Sequence, residues 1–297
     1  VIGGLITSTL LSLIFVPVAY IYIDRAEGWL DDDGRNRGQR LPVKVCVRVI
    51  DDRIEVDLTG SAPQTPTAYN VPFEGSTKVA CYFAFRALLL DTYTNSEYIP
   101  QNEGSFRPVK VTAPLGSIFN PIAPAACEAR FNQIQRVVDL IIKALAPVLP
   151  DKCTAGNAAC LSFASYSGLR PNGDYWVLIE VNEAAMGGRP KSDGPDTIEE
   201  LMRNTRNNPL EDLGMQLPMI CDRYEIRDDV FPGAGEYRGG MGVVKSQRFL
   251  TPGYMTHESD RNEDVPWGIF GGHEGATAAV RIHNHKSDAP ARDVAAK

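Results

Sequence analysis

The chain has 297 residues and a net charge of −7, with 43% hydrophobic and 23% charged residues. This composition is typical of a folded globular protein and excludes a disordered or low-complexity chain. The excess of 37 acidic over 30 basic side chains disfavours a nucleic-acid partner, because an acidic surface repels phosphate backbones. Six cysteines without a C-x-x-C pair indicate reduced thiols in a cytoplasmic protein, not a disulfide scaffold or a zinc ribbon.

The first part of the chain is apolar. Residues 1–23 carry no charge and are long enough for a helix that crosses a bilayer, and four arginines lie between 25 and 40. A buried core helix is the alternative. The string GGLITSTLLSLIFVPVAYIYID (3–24) resembles the last transmembrane helix of resistance-nodulation-division efflux pumps. We therefore predict a transmembrane-like helix in residues 1–30, foreign to the rest, with an exposed junction at DDDGRNRGQR (31–40).

The next hundred residues predict strands and two helices. Apolar and polar residues alternate over 43–50 and 54–58, on either side of a polar turn, which indicates a β-hairpin. Residues 76–90 are a helix candidate, and 108–113 are a short strand candidate. The clearest helix covers 128–146, where apolar residues recur at spacings of three and four until Pro147 ends the pattern.

The remaining residues predict a β-rich region. Residues 175–181 resemble a strand, and Thr197 begins a T-x-x-E capping box that predicts a short helix. From 221 to 285, short strand patterns lie between glycine and proline turns. The whole chain therefore predicts a mixed α+β fold with a β-rich C-terminal part, preceded by one apolar helix.

The glycine-rich string PGAGEYRGGMG (232–242) is the strongest local cluster. Arg238 with Gly239 and Gly240 would bind an anionic group through backbone N–H groups and the guanidinium. The alternative is a set of tight turns that need positive φ, and the spacing alone favours it. The spacing is not that of a dinucleotide-binding loop.

Other polar positions also have two interpretations. Asp57 closes the predicted hairpin, where it would orient a polar ligand or simply fold the turn. Arg130 lies in the first turn of the long helix, where it would bind an anion or only begin a surface helix. Cys127 precedes the same helix, but a buried structural thiol is favoured because every histidine follows residue 256. His283 and His285 have the spacing of metal ligands on a strand, although exposed histidines are the favoured interpretation.

Six longer strings occur in a fixed order. They are IEVDLTGSAPQ (54–64), NVPF (70–73), GSFRPVKVTAPLGSIFNPIAPAACEARFNQ (104–133), MGGRPKSDGPD (186–196), NTRNNPLED (204–212) and DDVFPGAGEYRGGMGVVKSQRF (228–249). In this order they resemble the hydantoinase B/oxoprolinase family. DDVFPGAG and the later FLTPGYMTHESDR resemble its acetone and acetophenone carboxylase-type members more closely. The resemblance implies that residues 31–297 are the C-terminal part of a domain of this family.

The resemblance implies an enzyme that depends on a partner. In this family, an A-type subunit uses ATP and Mg²⁺ to phosphorylate a substrate carbonyl, and the B-type subunit then hydrolyses the cyclic amide or carboxylates the ketone. We therefore expect a cytoplasmic hetero-oligomer with an A-type subunit, and membrane contact only if the apolar helix is genuine. The residues expected to line a catalytic cleft are Asp57, Asn70, Asn120, Arg130 and Asp193.

One departure from the family concerns its metal. Family B-type subunits are typically near twice this length, and their metal-binding histidines and aspartates lie in an N-terminal half, whereas no histidine here precedes His257. We therefore expect no metal or other cofactor bound by this chain and no turnover by the chain alone. The alternative function is a membrane-anchored, non-catalytic interaction module, or a remnant of a fusion or assembly event, supported by the apolar first segment.

Overall fold

The computed structural model describes residues 22–30, 38–90, 99–158, 162–283 and 292–293. The apolar segment 1–21, most of the predicted junction, His285 and its neighbour Asp288 lie outside the described residues. The chain divides into two compact units, a first unit Val1–Cys153 and a second unit Thr154–Lys297. The domain that the sequence predicts over 31–297 therefore includes parts of both units.

The first unit contains a four-stranded sheet. Its strands lie in the order β1 (Tyr22–Leu30), β2 (Leu41–Ile50), β3 (Arg53–Asp57) and β4 (Val109–Thr112). Strands β1 to β3 pair antiparallel, and β3 pairs with β4 in parallel. The predicted hairpin and the predicted strand at 108–113 are thus confirmed.

The structure corrects the predicted N-terminal helix over the residues that it describes. Residues 22–30 form β1, which pairs with β2 along all of its 9 residues. Ala26 and Leu30 are buried, and Gly28 between them lies against Leu140. This period of two suits a strand and not a helix, so the efflux-pump resemblance finds no support here. Within the described ranges, no helix is long and apolar enough to cross a membrane.

Helices pack on this sheet. The described helical segments of the first unit are a π-helical turn (Phe73–Thr77), α1 (Lys78–Leu89), the short α2 (Glu103–Phe106) and α3 (Arg130–Leu145). Helix α3 contacts β1, β2 and α1. The two helices predicted at 76–90 and 128–146 are therefore confirmed, and the apolar stripe of α3 faces the core as its periodicity requires.

Helix α3 is buried more completely than its sequence predicts. Besides its apolar stripe, it buries the polar side chains of Asn132, Gln135, Arg136 and Asp139. A surface helix would have left these side chains in water, so the first turns of α3 are part of the interior of the first unit.

The second unit has three separate antiparallel sheets, two of which enclose a small core. Its elements are β5 (Ser162–Leu169), β6 (Tyr175–Asn182), α4 (Leu210–Gln216), β7 (Met219–Ile226), β8 (Val243–Phe249), β9 (Gly253–Glu258), β10 (Arg281–Ile282) and β11 (Arg292–Asp293). One sheet has the order β6-β5-β9, while β7 and β8 form a hairpin. Tyr166 and Trp176 of the sheet meet Phe249 of the hairpin at ring-centroid distances of 5.4 and 6.3 Å. The predicted α+β class with a β-rich C-terminal part is confirmed.

The helix predicted after Thr197 is wrong. Thr197 has a φ of 46°, and its N–H donates to the carbonyl of Met241 at 2.8 Å, while residues 198–203 contain no helix. Glu200, the acidic residue of the supposed capping box, is buried and binds Arg203 at 3.1 Å. A long-range backbone hydrogen bond from Thr197 to Met241 therefore takes the place of the local cap. The short helix α4 forms later, after Pro209.

Candidate functional site

Asn70 joins two loops of the first unit. Its side chain is fully buried, and its Oδ1 accepts a hydrogen bond from the Thr65 N–H at 2.8 Å. Its Nδ2 donates to the carbonyls of Thr65, Thr67 and Ala126 at 2.9, 3.0 and 3.0 Å. These four bonds engage both N–H groups and the oxygen of the amide, so Asn70 holds the loop before α1 against the segment that precedes α3.

Two other predicted residues lie in the same loop region. Asn120 donates from Nδ2 to the Ala113 carbonyl at 3.0 Å. Arg130 donates to the Cys127 carbonyl at 3.2 Å and lies over the Phe131 ring at 4.5 Å. Since Asn70 contacts residue 126 and Arg130 contacts residue 127, the structure brings these two residues to one segment at the start of α3.

Asp57 lies at the end of β3. It accepts a hydrogen bond from the Thr59 N–H at 3.0 Å, and Arg48 lies 3.6 Å from its carboxylate. Partial burial alone would raise the pKa of this carboxyl, but the bonds from Thr59 and the charge of Arg48 outweigh burial and hold the pKa below its usual value. Asp57 is therefore a charged residue that folds its own turn.

The glycine-rich string of the second unit folds by close backbone crossing, not by left-handed turns. None of the five glycines between 233 and 242 has a φ between +20° and +160°. Instead, a Cβ atom at Gly188, Gly194, Gly233 or Gly240 would lie within 3.0 Å of a backbone atom of another loop. The Gly240 N–H donates to the Met186 carbonyl at 2.8 Å. The glycines thus let two distant loops touch through their backbones, which corrects the prediction of positive φ.

Arg238 pairs with acidic residues of the neighbouring loop. Its Nη1 and Nη2 donate to the two carboxylate oxygens of Asp196 at 2.8 and 3.1 Å, and its backbone N–H donates to Asp193 at 2.9 Å. The hydrogen bonds from Arg238 hold the pKa of Asp196 below its usual value. The structure therefore brings Asp193, which was predicted for the catalytic cleft, to the group of Arg238, Gly239 and Gly240, which was predicted for anion binding. An incoming anion would have to compete with Asp196 for the guanidinium.

A buried ion pair lies between the sheet and the hairpin of the second unit, and the sequence analysis missed it. Glu180 of β6 accepts from Lys245 Nζ at 2.5 Å and from the Gln247 side chain, both on β8. The Lys245 ammonium also lies 4.9 Å from the centre of the Tyr224 ring. Both charged side chains are almost completely buried. The signal that could have found the pair was alternation, since Glu180 follows Trp176 and Leu178 on the inward side of its strand.

His257 faces the same side of the sheet as Glu180. In the register of the sheet, Ala164 of β5 is paired with Glu180 on one side and with His257 on the other. The small Ala164 side chain therefore separates the two functional groups. Burial lowers the pKa of His257 to about 4, and its Nε2 has no hydrogen-bond partner among the residues described. His257 is a neutral imidazole at physiological pH.

The described residues provide no further metal ligands for the predicted histidine pair and no base beside the Cys127 thiol. The described part of the chain contains no group of three or more His, Cys, Asp and Glu side chains that could hold a metal ion. The second histidine of the 283/285 pair lies outside that part. The Cys127 thiol donates weakly to the Ala125 carbonyl at 3.4 Å. The absence of a metal from this chain stays a prediction.

Comparisons with known proteins agree with the sequence resemblance. The sequence model of the hydantoinase B/oxoprolinase family matches residues 21–296. The B-type subunit of a putative D-/L-hydantoinase from Pseudomonas sp. (strain NS671) is 38% identical over 264 residues, which are 88% of this chain and 44% of that protein.

Two solved structures share the fold at low sequence identity. The ATP-dependent caprolactamase from Pseudomonas jessenii has a TM-score of 0.67 at 20% identity, over 84% of this chain and 42% of that one. A nucleotide-free acetone carboxylase has a TM-score of 0.74 at 15% identity, over 94% of this chain and 38% of that one. This chain thus spans less than half the length of each of these three proteins.

Proposed function

Because this chain belongs to the hydantoinase B/oxoprolinase family, we propose that it is part of a B-type subunit that converts an ATP-activated substrate. The reaction is hydrolysis of a cyclic amide or carboxylation of a ketone, after a partner has phosphorylated the substrate carbonyl. The observation that carries the proposal is the family match over nearly the whole chain, supported by 38% identity to the Pseudomonas hydantoinase relative.

Phosphorylation explains why such an enzyme needs two components. An amide carbonyl is a weak electrophile and a ketone is a weak carbon nucleophile until it is enolised. Transfer of a phosphoryl group to the carbonyl oxygen makes the amide carbon a stronger electrophile, and it holds a ketone as its enol, from which transfer of the phosphoryl group to water releases the nucleophilic enolate. The remaining task is to hold the activated species and stabilise developing charge. The partner in this proposal is an A-type subunit that binds ATP and Mg²⁺, in a hetero-oligomer in the cytoplasm, where ATP is available.

For the second unit, we propose that the Arg238 loop cluster contacts the phosphorylated substrate. Arg238 is a partly exposed guanidinium, whereas the backbone N–H groups of Gly239 and Gly240 already donate to the carbonyls of Gly233 and Met186. The competing role is structural, since Arg238 already pairs with Asp196 and Asp193. A substrate phosphate would take the place of Asp196 on the guanidinium. Arg238→Ala and Arg238→Lys in a complete family subunit separate the roles, because loss of a bidentate phosphate contact raises KM while the lysine restores charge but not geometry.

For the first unit, we propose that Asp57, Asn70, Asn120 and Arg130 support a catalytic cleft of the B-type subunit. Asn70 and Arg130 both bind the segment before α3. All four hydrogen bonds of the Asn70 side chain go to backbone groups. Its role in this proposal is therefore to position that segment, while Arg130 has N–H donors besides the Nη1 group that contacts the Cys127 and Glu128 carbonyls. The divalent metal of the reaction belongs to the part of the family subunit that has no counterpart in this chain.

The membrane-anchored alternative is not favoured. The residues of the supposed anchor that the structure describes form β1, and the family match begins at residue 21.

A segment exchange tests the proposed function. Residues 22–293 of this chain replace the matching segment of the Pseudomonas hydantoinase relative, and the chimera is combined with its A-type partner, ATP and Mg²⁺. The proposal predicts ATP-dependent hydrolysis of a cyclic amide or carboxylation of a ketone. A chimera that folds, as judged by circular dichroism and a cooperative thermal transition, but turns over neither substrate class with ATP would contradict it. The matched control is the same chimera with Arg238→Ala.

A further inference from the structure

One face of the sheet β6-β5-β9 is apolar and uncovered. Its inner face packs on the β7-β8 hairpin through Trp176 and Tyr166. On the opposite, outer face, Tyr175, Val177 and Ile179 of β6 are 68%, 53% and 55% exposed. Alternation along the strand places these three side chains on the same side. The exposure is therefore a property of the whole face and not of a single frayed residue.

The register makes this face continuous across the three strands. Leu169 of β5 is opposite Tyr175, and Ser167 is opposite both Val177 and Tyr254 of β9. Leu169 and Tyr254 are also exposed, at 56% and 81%. The outer sheet face thus consists of two aromatic rings and aliphatic side chains around small serines. An apolar patch of this kind on a folded protein marks a contact surface.

Strand β6 is also an edge of its sheet. Its only strand partner in the described residues is β5, so its second edge faces outward. The strand contains no proline or lysine, and its one charged residue, Glu180, points to the inner side. Exposed edge strands are normally protected by such residues or by a covering element. The edge and the outer sheet face both indicate that further polypeptide covers this side.

The charge composition of the outer sheet face indicates what kind of polypeptide covers it. Positions 165, 167, 169, 175, 177, 179, 254 and 256 of this face are uncharged, and its one charged position in the described strands is Glu258, at the end of β9 opposite Phe163. Permanent interfaces resemble the interior of a domain and contain few charged residues, whereas transient interfaces are more polar. The compared proteins are all more than twice as long as the segment that they share with this chain. A permanent occupant from the same subunit is thus available.

From these observations we infer that the outer sheet face, formed by Leu169, Tyr175, Val177, Ile179 and Tyr254, packs against the part of the family's B-type subunit that has no counterpart in this chain. The occupant presents an apolar surface, with a strand edge available to β6. The inference goes beyond the proposed function, because it requires contact and no catalysis.

Thiol accessibility tests the inference. Val177→Cys is made in this chain, and the aligned position is changed to Cys in the complete Pseudomonas hydantoinase relative; labelling at each site is followed by peptide mass spectrometry, which separates it from the native cysteines. We expect labelling of the complete relative to be at least about tenfold slower. The control is Asp52→Cys and its aligned position, in a polar exposed turn, where the rates should agree within about twofold.

Three results would overturn the inference. The first is equal labelling at position 177 in the chain and in the complete relative. The second is protection that appears only after the A-type partner is added, and the third is protection that rises with concentration as copies associate. A second variant, Ile179→Glu, should leave the melting temperature of this chain unchanged and lower that of the complete relative when made at the aligned position. An unchanged melting temperature in both would also overturn the inference. None of these measurements depends on turnover.

Discussion

The two units of this chain have similar lengths but are stabilised differently. In the part of the chain that the structure describes, only four of the buried hydrophobic residues lie in the second unit, namely Ala164, Tyr166, Trp176 and Met219. All the others lie in the first unit. Exposed large hydrophobic side chains show the opposite distribution, with most of them in the second unit.

This difference has a physical consequence. The first unit is held by apolar burial, the dominant stabilising contribution in folded domains. The second unit depends on polar and backbone contacts, which include the Glu180–Lys245 ion pair and the hydrogen bonds between its glycine loops. Such contacts fix geometry but contribute little net stability. The second unit therefore has loops that are fixed by specific hydrogen bonds, a small apolar core and many exposed apolar side chains.

The largest predicted effect comes from breaking the buried ion pair. Lys245→Met leaves the carboxylate of Glu180 buried without its counter-charge, and we expect a loss of about 3–5 kcal/mol of unfolding free energy in the second unit. Denaturant unfolding with unit-resolved hydrogen exchange measures this. The matched control is Lys44→Met, which breaks the solvent-exposed pair with Glu27 at 2.7 Å and should cost about 0.5 kcal/mol. Equal losses for the two variants would show that the comparison between the units is wrong.

A truncation in the first core should have the next largest effect. Leu140 is fully buried on α3 and contacts Gly28 of β1, so Leu140→Ala should cost about 3 kcal/mol through lost burial and the cavity left behind. The same kind of truncation on the exposed face of the second unit, Ile179→Ala, should cost about 0.5 kcal/mol or less in this chain. Thermal denaturation of both variants checks the contrast, which fails if Ile179→Ala is as destabilising as Leu140→Ala.

A glycine pair tests the close backbone crossing. A Cβ at Gly240 would collide with the carbonyl of Pro195, so Gly240→Ala should destabilise the second unit by about 2 kcal/mol. Gly242, two residues away in the same string, has no atom within 4 Å of its Cβ position, so Gly242→Ala should be close to neutral. Limited proteolysis of the loops at 186–196 and 232–242 gives the readout. Comparable cleavage rates for the two variants would mean that the loops do not cross as described.

The last prediction is a dependence on pH. Burial lowers the pKa of His257 from 6.5 to about 4, so the unfolded chain binds this proton more readily than the folded chain. The stability of the second unit should therefore be complete above pH 6.5 and fall by about 3 kcal/mol as the pH drops to 4. His257→Gln should remove this part of the slope. If His257→Gln keeps the full dependence of the unfolding free energy on pH between 6.5 and 4, carboxyl groups and not His257 cause that dependence.

Local patterns in the sequence predicted most of the first unit. Helix α3 follows from apolar residues at spacings of three and four, and the β2-β3 hairpin follows from alternation on both sides of one polar turn. Strand β1 was missed because an uninterrupted apolar run precedes it, and such a run suits a helix as well as a strand. The pairing of β1 with β2 is a tertiary contact that no local pattern contains.

The second unit was less predictable because its defining contacts join distant residues. Arg238 and Asp196 are 42 positions apart, and Lys245 and Glu180 are 65 positions apart. The glycine string was identified as special, but the close approach that requires glycine involves a loop more than forty residues earlier. The family resemblance carried the functional prediction, while the roles of the individual site residues stay predictions.

One measurement tests the central claim that this chain is a component of a larger catalytic assembly. The purified 297-residue chain is mixed with the A-type partner of the Pseudomonas relative, ATP and Mg²⁺, and hydrolysis of a cyclic amide is followed beside the intact relative. We predict turnover by the intact relative and none by this chain, because in our proposals the metal and the cover of the outer sheet face belong to the part of the relative that has no counterpart in this chain. ATP-dependent turnover by this chain at a rate comparable to that of the relative would contradict the account.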